Sequence, residues 1–99
     1  MVALGQYGSA YLAAGQSVSG TGSPTVDLPD GMDILAIQFV GKAEGGTSMS
    51  TMTAASGSGC FTKTGTVFPD GLTVFGRWTA VTVTNATDMA AVVYYGPKL

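Results

Sequence analysis

The sequence contains no histidine and a single cysteine, Cys60. Without histidine, Ser–His and Cys–His nucleophilic pairs and most zinc sites are excluded. One cysteine cannot form an intrachain disulfide. A reactive thiol needs neighbours that lower its pKa, and Lys63, three residues further on, is a poor substitute for histidine. We therefore expect a structural thiol, no enzymatic activity and no cofactor.

Charged residues are also scarce. They make up 10% of the chain, whereas about 25% is typical of soluble domains. The basic residues Lys42, Lys63, Arg77 and Lys98 are scattered, so no basic patch is available for a nucleic-acid backbone. A poorly charged surface tends to associate, which favours an assembly subunit. The alternative is a soluble monomer covered by Ser and Thr hydroxyls.

Long apolar runs are missing as well. No stretch approaches the about 20 apolar residues that a membrane span requires. The N-terminus lacks the basic region and apolar core of a signal peptide. The sequence therefore predicts no membrane partner and a protein made and kept in a reducing cytoplasm.

What the chain does contain is typical of a β-protein. Its 99 residues, 45% of them apolar, correspond to one domain and argue against disorder. Fifteen glycines and many Ser and Thr residues separate short apolar runs. This pattern predicts a single antiparallel β-sandwich, jelly-roll or Ig-like, of about seven or eight strands. We expect the sandwich over residues 21–99, and an extended N-terminal arm or edge strand over residues 1–20.

Two similar segments contain a Pro-Asp-Gly turn followed by an apolar run. The turns are Pro29–Gly31 and Pro69–Gly71. Proline favours a turn and glycine supplies a positive φ, so each turn is expected to begin a strand. The two segments are interpreted as related strands of one domain. The alternative is that common turn chemistry occurs twice by chance.

The apolar runs predict the main strands and their core residues. In the second long strand, Leu72–Thr84, the apolar preference changes face near Ala80, which indicates a bulge or burial on both sides. The last strand, Met89–Tyr95, is expected to pair antiparallel with residues 81–84. Met49 and Met52, in a weaker strand, are expected on opposite faces. The core candidates are Ile34, Leu35, Ile37, Phe39, Val74, Phe75, Trp78, Val92 and Val93.

A few polar and aromatic residues are candidates for binding. Asp27, Asp30 and Asp33 lack the spacing and the closing Glu of a calcium loop, so turn capping is favoured and no metal site is expected. Arg77 either clamps a carboxylate of a neighbouring subunit, pairs with Asp33 or Asp70 of its own chain, or reaches solvent. The interface candidates are Tyr7, Tyr11, Leu12 and Arg77.

Three segments carry a resemblance to a known group of proteins. They are Ile37-Gln38-Phe39, the run Leu72–Val81 with its Gly76-Arg77-Trp78, and Ala90–Gly96. Together they resemble small structural proteins encoded among the virion genes of tailed bacteriophages. In those, an Ala-Ile-Gln-Phe strand precedes a Phe-Pro-x-Gly turn, a Gly-Arg-Trp strand and a final strand ending in Tyr-x-Gly. The resemblance spans residues 28–96 and departs from the pattern over residues 44–64.

The resemblance implies a non-enzymatic virion protein. The leading expectation is a capsid decoration or cement protein that binds and stabilises the assembled phage head. It would act as a homo-oligomer such as a trimer, with the major capsid protein or other virion proteins as partners, after assembly in the bacterial host cytoplasm. The alternatives are a neck or tail component and a receptor- or glycan-binding module displayed on the virion.

Overall fold

The structure is a computed structural model that describes residues 7–19, 26–27, 31–41 and 45–97. No helix occurs among these residues, which confirms the all-β prediction. The strands are β1 Gly8–Ala13, β2 Ser17–Ser19, β3 Val26–Asp27, β4 Met32–Phe39, β5 Met49–Ala54, β6 Thr73–Val83 and β7 Ala90–Pro97.

All described strands belong to one sheet, in the order β1-β7-β4-β6-β2-β3, with β5 also paired to β6. Every pairing is antiparallel except that of β2 with β3. The first half of β6 pairs with β4, and its second half lies between β2 and β5. A tight turn, in which the Gln16 N–H donates to the Ala13 carbonyl at 2.9 Å, joins β2 to β1. The sheet is therefore nearly barrel-shaped.

The sandwich and its strand number are not confirmed. Within the described residues, six strands of three or more residues form the curved sheet, and β3 contributes only two residues. Within the described N-terminal residues, β1 lies at one edge of this sheet, whereas β2 pairs with both β6 and β3. Residues 1–6, 20–25, 28–30, 42–44 and 98–99 lie outside the described part of the chain.

The predicted hairpin between β6 and β7 is wrong. β7 pairs with β4 and β1. Both edges of the second half of β6 are occupied by β2 and β5, so the chain leaving β6 must cross to another edge. The Thr84 N–H donates to the Ser48 carbonyl at 3.0 Å, and Asp88 adopts a φ of +64° in this crossing.

Bulges shift the inward face in the strands that flank the core. In β6, Trp78 and Ala80 pair with consecutive residues of β5, which leaves Thr79 as the extra residue. The predicted bulge near Ala80 is therefore confirmed, and it places Trp78 and Val81 in the same core.

Bulges in β4 and β5 correct two further predictions. Leu35 is unpaired against β7, so Ile34 and Ile37, which uninterrupted alternation along the strand places on opposite faces, both reach the core. In β5 the extra residue is Ser50, and Met49 and Met52 are both buried. The prediction that the two methionines lie on opposite faces was therefore wrong.

The second Pro-Asp-Gly turn lies against the end of the first related segment. The Leu72 N–H donates to the Pro69 carbonyl at 3.2 Å, and Gly71 has a φ of +91°. Gly71 also donates to the Phe39 carbonyl, so the turn begins the pairing of β6 with β4. The related segments thus form adjacent antiparallel strands. Of the first turn only Gly31, with a φ of +79°, lies within the described residues.

The core fills the inside of the curved sheet. Of the core candidates, Ile34, Ile37, Phe39, Trp78 and Val93 have no exposed side-chain surface, and Val74 packs against them. Leu35 and Val92 are half-buried. Two predictions are corrected by burial: Phe75, expected in the core, is 77% exposed, and Leu12, expected at an interface, is fully buried.

Candidate protein interface

The outer surface of β1, β7, β4 and β6 presents two rows of side chains. Residues that are paired across antiparallel strands share a face of the sheet. The inner face is identified by the buried Leu12, Val93 and Ile37, so the residues that alternate with them point outward. The first row is Ser9, Tyr94, Ala36 and Phe75; the second row is Tyr11, Val92, Gln38 and Thr73.

Tyr7 and Leu35 extend this surface at one end. A methyl group in place of a Gly96 hydrogen would lie 2.5 Å from Cε2 of Tyr7 and 2.7 Å from Cδ1 of Leu35. Both side chains therefore lie over Gly96 on the outside of β7, where glycine leaves room for them. We call these ten positions the aromatic face.

The aromatic face combines exposed rings with an absence of charge. The exposed fractions are 77% for Phe75, 67% for Tyr7, 60% for Tyr11 and 41% for Tyr94. None of the ten side chains is charged. The Tyr94 hydroxyl donates to Oε1 of Gln38 at 3.1 Å, which orients the Tyr94 ring across β4. Several exposed aromatic side chains on one face of a sheet are typical of protein-binding surfaces.

An ion pair borders the aromatic face. Nη1 of Arg77 lies 3.4 Å from Oδ2 of Asp33 and 3.3 Å from the Pro97 carbonyl oxygen. Of the alternatives predicted for Arg77, the structure therefore shows pairing with Asp33 of its own chain. The distance is longer than the about 2.8 Å of a strong charged hydrogen bond, and the Arg77 side chain is 25% exposed. Asp33 is only 6% exposed, so loss of Arg77 would leave a buried carboxylate without a counter-charge.

A cavity of about 290 Å³ opens beside this ion pair. Its walls are Asp33, Arg77, Thr79 and the turn formed by residues 55–58. Oδ1 of Asp33 is buried and has no hydrogen-bond partner among the described residues. A second cavity of about 290 Å³ lies at the Tyr11 end of the aromatic face, between Ala13, Val40 and Asp88.

The sequence identified only part of this surface. Tyr7 and Tyr11 lie on the aromatic face and Arg77 lies at its border, whereas Leu12 points into the core. Phe75 and Tyr94 were not identified as interface candidates. Phe75 lies at alternate positions with the polar residues Thr73 and Arg77, so the three share one face of the strand. This polar pattern was the sequence signal that Phe75 points outward.

The remaining chemistry of the described residues is limited. Sγ of Cys60 lies 2.9 Å from the Arg77 carbonyl oxygen and 3.3 Å from Oγ of Ser58. Within the described ranges, His, Cys, Asp and Glu side chains form no group of three or more that could hold a metal ion. The same ranges contain no helix suited to crossing a membrane. Of the three aspartates considered for calcium, Asp30 lies outside the described residues.

Comparison of the chain with protein-family models, curated proteins and solved structures gives no match.

Proposed function

We propose that this protein is a non-enzymatic structural subunit of a tailed-bacteriophage virion. In this proposal it is a decoration or cement protein that binds the assembled head, and the aromatic face is the surface that contacts other virion subunits. The observation that supports a binding role is the set of exposed, uncharged aromatic side chains on one sheet face. The virion assignment depends on the resemblance of the strands around Gln38, Trp78 and Tyr94.

The size of the aromatic face is compatible with this role. Four rings at the observed exposures present on the order of 500 Å² to solvent. A standard interface buries roughly 800 Å² on each partner, so the rings supply more than half of that area. Burying them displaces water from apolar surface, which is the main favourable term in protein association.

The lack of charge on this face also favours contacts between copies. The whole chain carries a net charge of −2, so identical copies repel one another weakly at long range. Contact through an uncharged surface avoids placing like charges together. The proposal therefore includes a homo-oligomer such as a trimer on the head, with the major capsid protein or another virion protein as the further partner.

The mechanism of stabilisation is mass action. A subunit that binds the assembled shell but not its separated components shifts the equilibrium towards the shell. At a free concentration one hundred times the dissociation constant, each site contributes about 2.7 kcal/mol. Many equivalent sites on one shell multiply this effect.

The experiment compares a face variant with a surface control. The variant Tyr11→Ser/Phe75→Ser/Tyr94→Ser removes three rings of the aromatic face, and Val67→Ser changes an exposed apolar residue, 48% accessible, that is not among the ten positions. Each protein is mixed with phage heads that lack it and sedimented. We expect the wild type and Val67→Ser to sediment with heads and the triple variant to remain in solution. Equal binding by the triple variant, folded by circular dichroism, would contradict the proposal.

Copy number separates the head from the alternative positions. A number that follows the capsid lattice supports decoration, whereas a number that matches one ring supports a neck or tail component. A glycan array tests the displayed binding module. Glycan binding that is lost in the triple variant would replace the decoration proposal.

A further inference from the structure

We propose that the cavity beside Asp33 and Arg77 binds a neutral amide group. The group is either the carboxamide of an Asn or Gln side chain or a main-chain peptide group of a partner chain. This inference deepens the proposed function because it names the polar group that a partner places at the border of the aromatic face. It depends on residues outside that face, so the two proposals can fail separately.

Asp33 supplies a hydrogen-bond acceptor. Its side chain is 6% exposed, and Oδ2 accepts the single long hydrogen bond from Arg77 at 3.4 Å. Oδ1 has almost no accessible surface and no donor among the described residues. A buried acceptor without a donor is energetically unfavourable, and native structures contain few such groups. Because Oδ1 is covered, a ligand N–H reaches it only when the neighbouring Arg77 side chain moves aside, and that hydrogen bond would then remove the penalty.

Arg77 supplies the donors. Both of its hydrogen bonds, to Asp33 and to the Pro97 carbonyl, use Nη1. Within the described residues, Nη2 and Nε make no hydrogen bond. The guanidinium carries five N–H donors in a planar arrangement. The contact with Asp33 is long and the Arg77 side chain is partly exposed, so Arg77 can shift to admit a ligand while its charge stays close to the buried Asp33 carboxylate.

The pairing of an acceptor with donors determines the chemistry of the ligand. A carboxylate is attracted by Arg77 but repelled by Asp33, and it cannot donate to Oδ1. An ammonium group satisfies Oδ1 but is repelled by Arg77. A neutral amide donates its N–H to Oδ1 and accepts at its carbonyl oxygen from Arg77. The ion pair has no net charge, so no net electrostatic repulsion opposes the binding of a neutral ligand.

The cavity has room for such a group. It measures about 290 Å³, and a water molecule occupies about 30 Å³ in the liquid. Its floor is partly fixed, because Oγ of Ser58 donates to the Arg77 carbonyl at 3.2 Å and the Ala55 N–H donates to the same carbonyl at 2.9 Å. The wall formed by residues 55–58 is therefore held against β6 without a ligand.

The test is a titration of the ¹⁵N-labelled protein followed by NMR. The probes are propionamide for a side-chain carboxamide, N-methylacetamide for a peptide group, acetate and methylammonium. We expect saturable shifts of the Arg77 Nε–H signal and of the backbone amides of residues 56–58 with the amide probes. Acetate and methylammonium should bind about tenfold more weakly, since each loses a hydrogen bond. Tighter binding of propionamide or of N-methylacetamide identifies which source fits better.

Two variants should change which probe binds most tightly, a result that a purely structural role of Asp33 and Arg77 does not produce. Asp33→Asn leaves Arg77 without its counter-charge, so acetate should become the tightest probe. Arg77→Gln leaves Asp33 unpaired, so methylammonium should become the tightest. The matched controls Asp70→Asn and Lys63→Gln, at exposed positions, should retain the wild-type order.

Two outcomes overturn the inference. One is the absence of a saturable shift at these signals, which means that water alone occupies the cavity. The other is equal binding of ions and amides by the wild type. Loss of head binding in the aromatic-face variant with amide binding retained would leave this inference intact. Head binding without amide binding would refute only this inference.

Discussion

Trp78 shows how one residue organises its surroundings. Its side chain is fully buried, its indole N–H donates to the Phe61 carbonyl at 2.9 Å, and the two rings meet edge to face at 5.7 Å. Gly76 makes room for it, because a methyl group there would lie 2.8 Å from the indole ring. Trp78 therefore joins the core of the sheet to the segment that contains Phe61.

Substitution within β6 should separate core from surface. Trp78→Leu removes the hydrogen bond and part of the ring volume, and we expect a loss of about 3 kcal/mol in the free energy of unfolding. Phe75→Leu, three positions away but on the exposed aromatic face, should change it by less than about 0.5 kcal/mol. Urea denaturation of both variants measures the difference. Equal losses would mean that Phe75 is also packed in the core.

Gly46 is required by both conformation and space. Its φ is +116°, and a methyl group there would collide with the Phe68 carbonyl oxygen. That oxygen accepts the Thr47 N–H at 2.9 Å, so Phe68 cannot move away without breaking its bridge to Thr47.

A pair of glycine substitutions distinguishes the two causes. Gly57 has a φ of +76° with open space around it. Gly57→Ala should therefore reduce the free energy of unfolding only by the cost of holding an alanine at a positive φ, about 1 kcal/mol. Gly46→Ala adds the collision, and we expect a loss of about 3 kcal/mol or more. Thermal unfolding compares the two, and similar melting temperatures would rule out the steric explanation.

At the scale of elements, bulges determine which side chains reach the core. The extra residues Leu35, Ser50 and Thr79 each reverse the alternation of their strand. An uninterrupted strand keeps residues of one parity on one face. Without these bulges, half of each strand would place its apolar side chains outside the sheet.

Deletion of Ser50 tests this role. Ser50 is exposed, and its hydroxyl makes one weak hydrogen bond, to the Thr82 carbonyl at 3.4 Å. Its deletion should expose Met49 or Met52 and reduce the free energy of unfolding by about 2–4 kcal/mol. The control Ser50→Ala keeps the residue count and should be nearly neutral. A neutral deletion would show that β5 can shift its register freely.

At the scale of the molecule, the inside of the curved sheet forms the core, and the exposed aromatic side chains lie together on part of its outer surface. The aromatic face spans β1, β7, β4 and β6, so its shape depends on strands from both ends of the chain. The charged Asp33 and Arg77 lie at its border and neutralise each other. The proposed assembly role follows from this distribution.

Self-association should respond to salt as an apolar contact does. We expect sedimentation velocity to show oligomers whose population stays constant or rises between about 0.05 M and about 1 M salt, because screening weakens only charged contacts. The variant Tyr11→Ser/Phe75→Ser/Tyr94→Ser should be monomeric throughout. Oligomers that dissociate in high salt, or that persist in this variant, would point to a charged interface elsewhere.

Local patterns in the sequence determined the strands, several core residues and one bulge. The all-β class, the turn at Pro69–Gly71 and the face change near Ala80 follow from backbone sterics and from the two-residue period of a strand, which act over a few residues. The burial of Trp78 and the space left by Gly76 follow from the same short-range alternation.

Pairing between distant strands was decided only in the tertiary structure. The partner of β7, the nearly barrel-shaped sheet and the proximity of Asp33 to Arg77 all depend on which strand edges remain free once β6 is flanked. That competition among edges involves residues far apart in the chain. A bulge such as Leu35 reverses every later side chain in its strand, so these contacts cannot be read from alternation alone.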